Sequence, residues 1–183
     1  MTTNHTKFAI LGVLTTGCRS GYSIKQMIDT SLNHFWKISY GQIYPTLKKL
    51  VDEGLASVQE HAQEDKPDKK EYHLTDKGKE ALHAWLAEPL ESIPKEKNEW
   101  LLKLFFSRHQ DRSNTLELLK NYHQNLQSVY TNYQAIEEMI RSNHQDDEDA
   151  MYWLFTLDYG KRTTYAAIEW SEDTIRAFKE EKR

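Results

Sequence analysis

The chain has 183 residues, 38% hydrophobic and 28% charged, with five Trp and ten Tyr, which is enough apolar material for a packed core and excludes bulk disorder. Seven Gly and four Pro are few, predicting long helices in one domain or two small ones, and the single cysteine, Cys18, excludes an internal disulfide or a thiolate zinc site. The net charge of −4 speaks against a nucleic-acid partner, but it hides a split: up to Leu86 there are 11 Lys and Arg against 10 Asp and Glu, and beyond it 13 against 18.

Met1 to Lys7 is polar and carries no export signal, and the run Phe8 to Leu14 is too short to span a membrane, so the cytoplasm is the expected compartment. Phe8, Ile10, Leu11, Val13 and Leu14 read as a buried first helix from Lys7 to Thr16, stopped by Gly17. Ser20 caps a second helix with Tyr22, Ile24, Met27 and Ile28 as its apolar residues. Ser39 and Gln42 form a capping box that starts a third helix, Tyr40 to Glu53, with Ile43, Leu47, Leu50 and Val51 on one stripe and Gly54 at the C-cap. Pro45 removes an N–H from this helix, so it either kinks or starts late. Opposite the stripe lie Gly41, Pro45, Lys48 and Asp52, flanked by Gln42 and Lys49, and from Thr30 to Val51 there are three lysines and no carboxylate.

Leu55 to Ala62 alternates as a half-exposed strand, Glu64 to Lys70 reads as a charged turn containing Pro67, and Glu71 to Leu74 alternates again with Tyr72 and Leu74 inward. Thr75 caps a fourth helix ending before Pro89, and Pro89 and Pro94 mark a linker, giving expected domains at residues 1–88 and 89–183. A short helix follows from Glu99 to Arg108. From Ser113 to about Arg141, Leu119, Tyr122, Leu126, Val129, Tyr133, Ile136 and Ile140 form an a/d seam. The acidic run Asp146 to Asp149 lacks the glycine and spacing of a calcium loop and reads as a turn before a last helix reaching Glu180, whose apolar register is broken by Lys161.

Three short helices and a β-hairpin, in that order, describe a winged helix-turn-helix. The blocks Phe8-Ala9-Ile10-Leu11-Gly12-Val13-Leu14, Ser20-Gly21-Tyr22-Ser23-Ile24, Gly41 to Leu50 through Glu53-Gly54-Leu55, and Tyr72 to Lys79 resemble the PadR family of bacterial transcriptional regulators, with Ile43-Tyr44-Pro45-Thr46-Leu47 the sharpest part. The second half is similar, in length and helical layout, to the longer C-terminal domain of the phenolic-acid-responsive subfamily. The resemblance implies a mainly α fold with a small hairpin, and a homodimeric repressor of double-stranded, palindromic operator DNA released by a small aromatic effector.

The residues then take candidate roles. Tyr40, Gln42, Tyr44, Pro45, Thr46, Lys48 and Lys49 on the third helix face DNA: Gln suits adenine, Thr a thymine methyl, Lys and Tyr the backbone. Lys66, Lys69 and Lys70 at the hairpin reach neighbouring phosphates, diluted by Asp65, Pro67 and Asp68; six phosphates per dimer predict a salt slope of about −5. Leu119, Leu126, Tyr133, Leu154, Leu157 and Ile168 are candidates for pairing two subunits, although a hairpin of the two long helices within one chain would bury the same stripe. Trp100, Tyr152, Phe155 and Tyr159 are candidate effector contacts, with Lys103 or Arg162 for a carboxylate; core or dimer packing is their other use. No metal spacing, phosphate loop or nucleophile motif is found, so neither an enzyme nor a cofactor is expected. The alternative is a winged helix that docks a protein without reading DNA.

Overall fold

The computed structural model describes residues 5–33, 35–63, 66–90 and 97–181, and the side chains of all of these except 61–63 and 66–69. The chain forms two compact units, Met1–Ile93 and Pro94–Arg183. The architecture is mainly helical with one two-stranded antiparallel hairpin.

The first unit runs α1 (His5–Thr15), α2 (Gly21–Met27), α3 (Tyr40–Asp52), β1 (Ala56–Gln63), β2 (Lys66–Leu74) and α4 (Asp76–Ala87). Helix α1 is the centre of the packing, with Ile10 and Leu11 fully buried against Ile24, Ile28, Ile43, Leu47 and Leu50. Its N-terminal end stacks Phe8 flat on Trp85 of α4, ring centres 4.7 Å apart. Helix α2 continues into one π-helical turn, Ile28–Leu32, before the chain extends toward α3. Tyr22, expected among the apolar residues of α2, is 67% exposed: it lies off the Ile24/Ile28 stripe that meets α1.

Helix α3 starts at Tyr40 and runs without interruption through Pro45. The carbonyl that Pro45 leaves without an N–H belongs to Gly41, which is exposed and so available to solvent. At the other end Gly54 adopts a φ of 72° and Leu55 N–H reaches the Leu50 carbonyl at 2.8 Å, the hydrogen bond of a Schellman ending.

The hairpin differs from its sequence reading. Residues 66–70, expected in a turn, belong to β2: Gln63 pairs with Lys66, His61 with Lys69 and Glu60 with Lys70. The register shifts between His61 and Gln63, so that Pro67 and Asp68 oppose Ala62 alone, and a bulge is one of the few places where a strand tolerates proline. The expected turn residues Glu64 and Asp65, and Pro94 of the expected linker, lie outside the described residues.

The second unit holds α5 (Glu99–Phe105), α6 (Arg112–Asn143) and α7 (Ala150–Glu180), the last two packed as an antiparallel hairpin. Leu119, Tyr133, Ile140, Leu157, Thr164 and Ser171 are buried in that hairpin. Polar groups form rungs across it: His123 Nδ1 and Ser171 Oγ are 2.9 Å apart, and Glu137 binds Lys161. Lys161 interrupts the apolar register of α7 because it faces this carboxylate. Arg112 stacks on Phe178, 4.2 Å from the ring centre, and donates to the Phe178 and Glu181 carbonyls that α7 leaves unpaired. Among the described residues no helix is long and apolar enough to cross a membrane, and no cluster of His, Cys, Asp and Glu could hold a metal ion.

Candidate nucleic-acid interface

The solvent face of α3 carries Tyr40, Gly41, Gln42, Tyr44, Pro45, Lys48, Lys49 and Asp52, all exposed, while Ile43, Leu47 and Leu50 anchor the helix to α1. A 13-residue helix is about 20 Å long. One side is locked into the core, so the other is presented as a fixed row. Such a row of hydroxyls, an amide and ammonium groups matches what contacts phosphates and base edges.

Thr46 does not join it. The residue is 9% exposed and its hydroxyl donates to the Gln42 carbonyl at 2.6 Å, because position 46 falls on the same turn face as Ile43, Leu47 and Leu50. The hydroxyl expected to meet a thymine or a phosphate is thus turned to the helix backbone. Gln42 is exposed, but its Oε1 accepts from the N–H of Ser39 at 3.0 Å and from the Ser39 hydroxyl at 3.1 Å. The capping box expected from sequence thus holds the same side chain expected to pair with adenine. Bidentate pairing would require the cap to open.

The two lysines are not equivalent. Lys49 lies 3.8 Å from Glu53, which also binds Lys7 at 2.5 Å, while Lys77 donates to the Glu53 carbonyl at 2.8 Å. These contacts, the Lys7 hydrogen bond above all, hold the Glu53 carboxyl below its usual range. Lys48 has no carboxylate partner among the described residues and is the freer cation.

Of the three wing lysines, Lys70 is exposed and pairs with Glu60 across the ladder at 2.7 Å. The side chains of Lys66 and Lys69 lie outside the described residues. Tyr72, on the inward face of β2, is buried, and that burial pushes its hydroxyl pKa up, with Tyr44 among the neighbours that add to the effect. The Tyr72 N–H donates to the Arg19 carbonyl at 2.7 Å, tying the wing to the start of α2.

Two cations next to α3, Arg19 and Lys25, escaped the sequence reading, while Lys37 is one of the three lysines between Thr30 and Val51. Arg19 and Lys37 are exposed; Lys25 is largely covered, pairs with Asp29 and sits over the Tyr40 ring at 5.2 Å. The signal was present in Ser20 as an N-cap: it places Arg19 at the solvent-facing entry of α2, next to α3 in a helix-turn-helix.

In the second unit the candidate effector residues are not gathered in one place. Trp100 stacks on Tyr122 with centres 3.9 Å apart, meets Trp170 edge-on and donates to the Leu118 carbonyl at 3.4 Å, so it holds α5 to the long helices. Lys103, paired with Glu99 at 2.7 Å, lines a cleft of about 580 Å³ with Leu102, Phe106 and Asn121. Phe155 lines another of about 680 Å³, near the α6–α7 turn, with Met151, Leu154 and Lys161. Tyr152 and Tyr159 stand exposed on α7, and Arg162 pairs with Asp158 at 2.7 Å.

The candidate pairing residues divide similarly. Leu119, Tyr133 and Leu157 are buried inside the α6–α7 hairpin of a single chain, the packing within one chain that the sequence left open beside pairing of subunits. Leu126, Leu154 and Ile168 are half-buried and Val129 is exposed. A second apolar face lies on α7, where the candidate rings Tyr152, Phe155 and Tyr159 recur at helical spacing with Ala166 and Trp170, all exposed.

Comparison with known proteins agrees with this geometry. Residues 10–84 match the transcriptional regulator PadR-like family and residues 96–179 match the family described as virulence activator alpha C-term. The negative transcriptional regulator PadR of Bacillus subtilis (strain 168) is 38% identical over 138 residues, 75% of each chain. The crystal structure of Bacillus subtilis PadR in complex with operator DNA superposes with a TM-score of 0.83 at 31% identity, covering 96% of this chain and 99% of that one. The same protein in complex with p-coumaric acid gives a TM-score of 0.76 at 29% identity, covering 96% of each chain. Matched over both units and carrying the exposed row of α3 beside the wing, this chain belongs to the PadR-like family of DNA-binding transcriptional regulators, which are not enzymes.

Proposed function

We propose that the protein is a homodimeric repressor that reads a two-fold operator through the solvent face of α3 and releases it when a small aromatic acid binds. The observation that carries this reading is the row Tyr40, Gln42, Tyr44, Pro45, Lys48 and Lys49, held outward by a buried stripe on the same helix. The major groove is about 12 Å wide and admits one helix. Pro45 suits close approach, since it brings no N–H to be desolvated. Lys66, Lys69 and Lys70 flank the groove on phosphates, with Lys70 giving up Glu60 to do so. In this reading residues 1–88 bind DNA and residues 89–183 pair the subunits and take the effector.

A second subunit supplies the cover for the aromatic face of α7, as Tyr152, Phe155, Tyr159 and Trp170 would otherwise remain in water. Two winged helices then address half-sites about one helical turn apart. The effector part draws support from the relative crystallised with p-coumaric acid. The Lys103 cleft is of ligand size and offers an ammonium group beside Leu102 and Phe106.

Selection of bound duplexes from random DNA, with the solution mass measured alongside, tests the reading. A palindrome and a dimer are expected; no enriched sequence, or a monomer, overturns it. Addition of p-coumaric acid to the complex is expected to release the DNA, and unchanged binding across a panel of aromatic acids removes the effector part.

A further inference from the structure

Gly21, the first residue of α2, is buried and lies beside Tyr44. A Cβ at position 21 would sit 2.6 Å from Cε1 and Cζ of Tyr44 and 2.8 Å from its hydroxyl oxygen. Backbone conformation does not call for glycine here: the described glycines with positive φ are Gly17 and Gly54, and Gly21 is not one of them. Glycine at this site therefore supplies space. The outer edge of the Tyr44 ring rests on the Gly21 backbone, in a seat any other residue would fill.

Tyr44 itself is 51% exposed, and its hydroxyl makes no hydrogen bond among the described residues. A half-exposed tyrosine would ordinarily sample several rotamers and lose that freedom on binding. Seated over Gly21, it is held beforehand. Around it converge Arg19, exposed at the start of α2, and Tyr72 of β2, whose N–H is bonded to Arg19. The seat thus lies where α2, α3 and the wing meet.

We infer that Gly21 is a positioning residue that fixes the Tyr44 ring so that its hydroxyl meets a backbone phosphate of the bound duplex. The inference rests on the DNA-reading role proposed for α3. Hydroxyl-to-phosphate bonds set the register of a protein on DNA, and one formed by a pre-ordered donor loses less entropy than one formed by a mobile donor. The atoms of Tyr44 that a methyl group would meet are the distal end of an exposed side chain, so Gly21→Ala displaces the ring rather than the fold.

The test is a double-mutant cycle on a duplex selected from random DNA by the wild-type protein, with thermal unfolding recorded for each variant. Tyr44→Phe is expected to weaken binding about tenfold without changing the unfolding midpoint, the effect of losing a charge-assisted hydrogen bond. Gly21→Ala is expected to weaken it by at least as much, and to have no effect in a Tyr44→Ala background, where the ring is gone. Equal binding by Gly21→Ala and wild type overturns the inference, and so does an equal loss in both backgrounds or failure of both Gly21→Ala proteins to fold, since each places the fault in α2 itself. Wild-type protein that selects no duplex overturns the DNA-reading role beneath it, which separates the two failures.

Discussion

Lys161 of α7 is bound to Glu137 of α6, which in turn holds Arg141 at 2.7 Å, at the place where the apolar register of α7 breaks. Both side chains of the Lys161–Glu137 pair are about three-quarters covered, at 22% and 25% exposure. Removing the carboxylate would leave a partly desolvated ammonium without its partner. Glu137→Gln is expected to cost about 1–2 kcal/mol, between the surface and buried limits for ion pairs. The Lys161 and Arg141 bonds hold the Glu137 carboxyl below its usual range, so the unfolded chain binds the proton more readily than the native one. The contribution is therefore complete above the ordinary carboxylate range and fades as pH falls through the lowered value. Urea unfolding should show the gap between wild type and variant at pH 7 and its closure as pH falls through the lowered Glu137 value; a constant gap would mean that the pair carries no linkage.

Gly78 of α4 has a comparable steric role to Gly21 but with no give. A Cβ there would lie 2.0 Å from the Leu55 carbonyl oxygen and 2.8 Å from a Leu74 methyl. Alanine gains about 1 kcal/mol of helix propensity over glycine, and overpacking against backbone costs more than that. Gly78→Ala should lower the unfolding midpoint of the first unit by several degrees, and a midpoint at or above wild type would show that the wing root can move.

Thr46 and Lys48 are two positions apart, and opposite outcomes are expected. Thr46→Val removes a hydroxyl already spent on the Gln42 carbonyl and should leave operator affinity within about twofold of wild type. Lys48→Ala removes a cation that has no carboxylate partner among the described residues. The slope of log affinity against log salt should become shallower by about 1.8 for a dimer. Lys49→Ala should change it less, because Glu53 already shares that charge. A titration series at several salt concentrations distinguishes the three.

How far the sequence could be read depends on what each residue answers to. The helices of the first unit, their caps at Ser20, Ser39 and Thr75, and the Gly54 ending were legible because each follows from local hydrogen bonding and apolar spacing. The extent of β2 was not, since Pro67 within a charged run signals a turn unless the bulge that accommodates it is known. Thr46 was legible in principle: it stands three residues after Ile43 and four before Leu50, and its chemistry drew attention away from its position. The seam of α6 was read correctly as apolar, but periodicity does not say whether the partner helix belongs to the same chain. The polar rungs, His123 with Ser171 and Glu137 with Lys161, join residues 48 and 24 positions apart and have no local signature. The Gly21 seat is of the same kind.

The aromatic face of α7 should behave as an interface. Replacing Phe155 and Tyr159 together by Glu puts two charges on a surface that the dimer would bury, while the hairpin core of Leu119, Tyr133 and Leu157 is untouched. Light scattering should report a monomer with unchanged helical content and operator affinity should fall at least tenfold, since each winged helix would then bind alone. A dimer of undiminished stability would place the contact elsewhere.

In the proposed complex the outward row of α3 enters the major groove. The most direct measurement is affinity for the selected operator after the purines of each half-site are replaced by 7-deazapurines, which lose the N7 acceptors of the major groove while pairing and the minor groove are unchanged. Loss of base-edge contacts worth about 1–3 kcal/mol each predicts at least a tenfold drop. Undiminished affinity would show that α3 does not read the groove it is built to face.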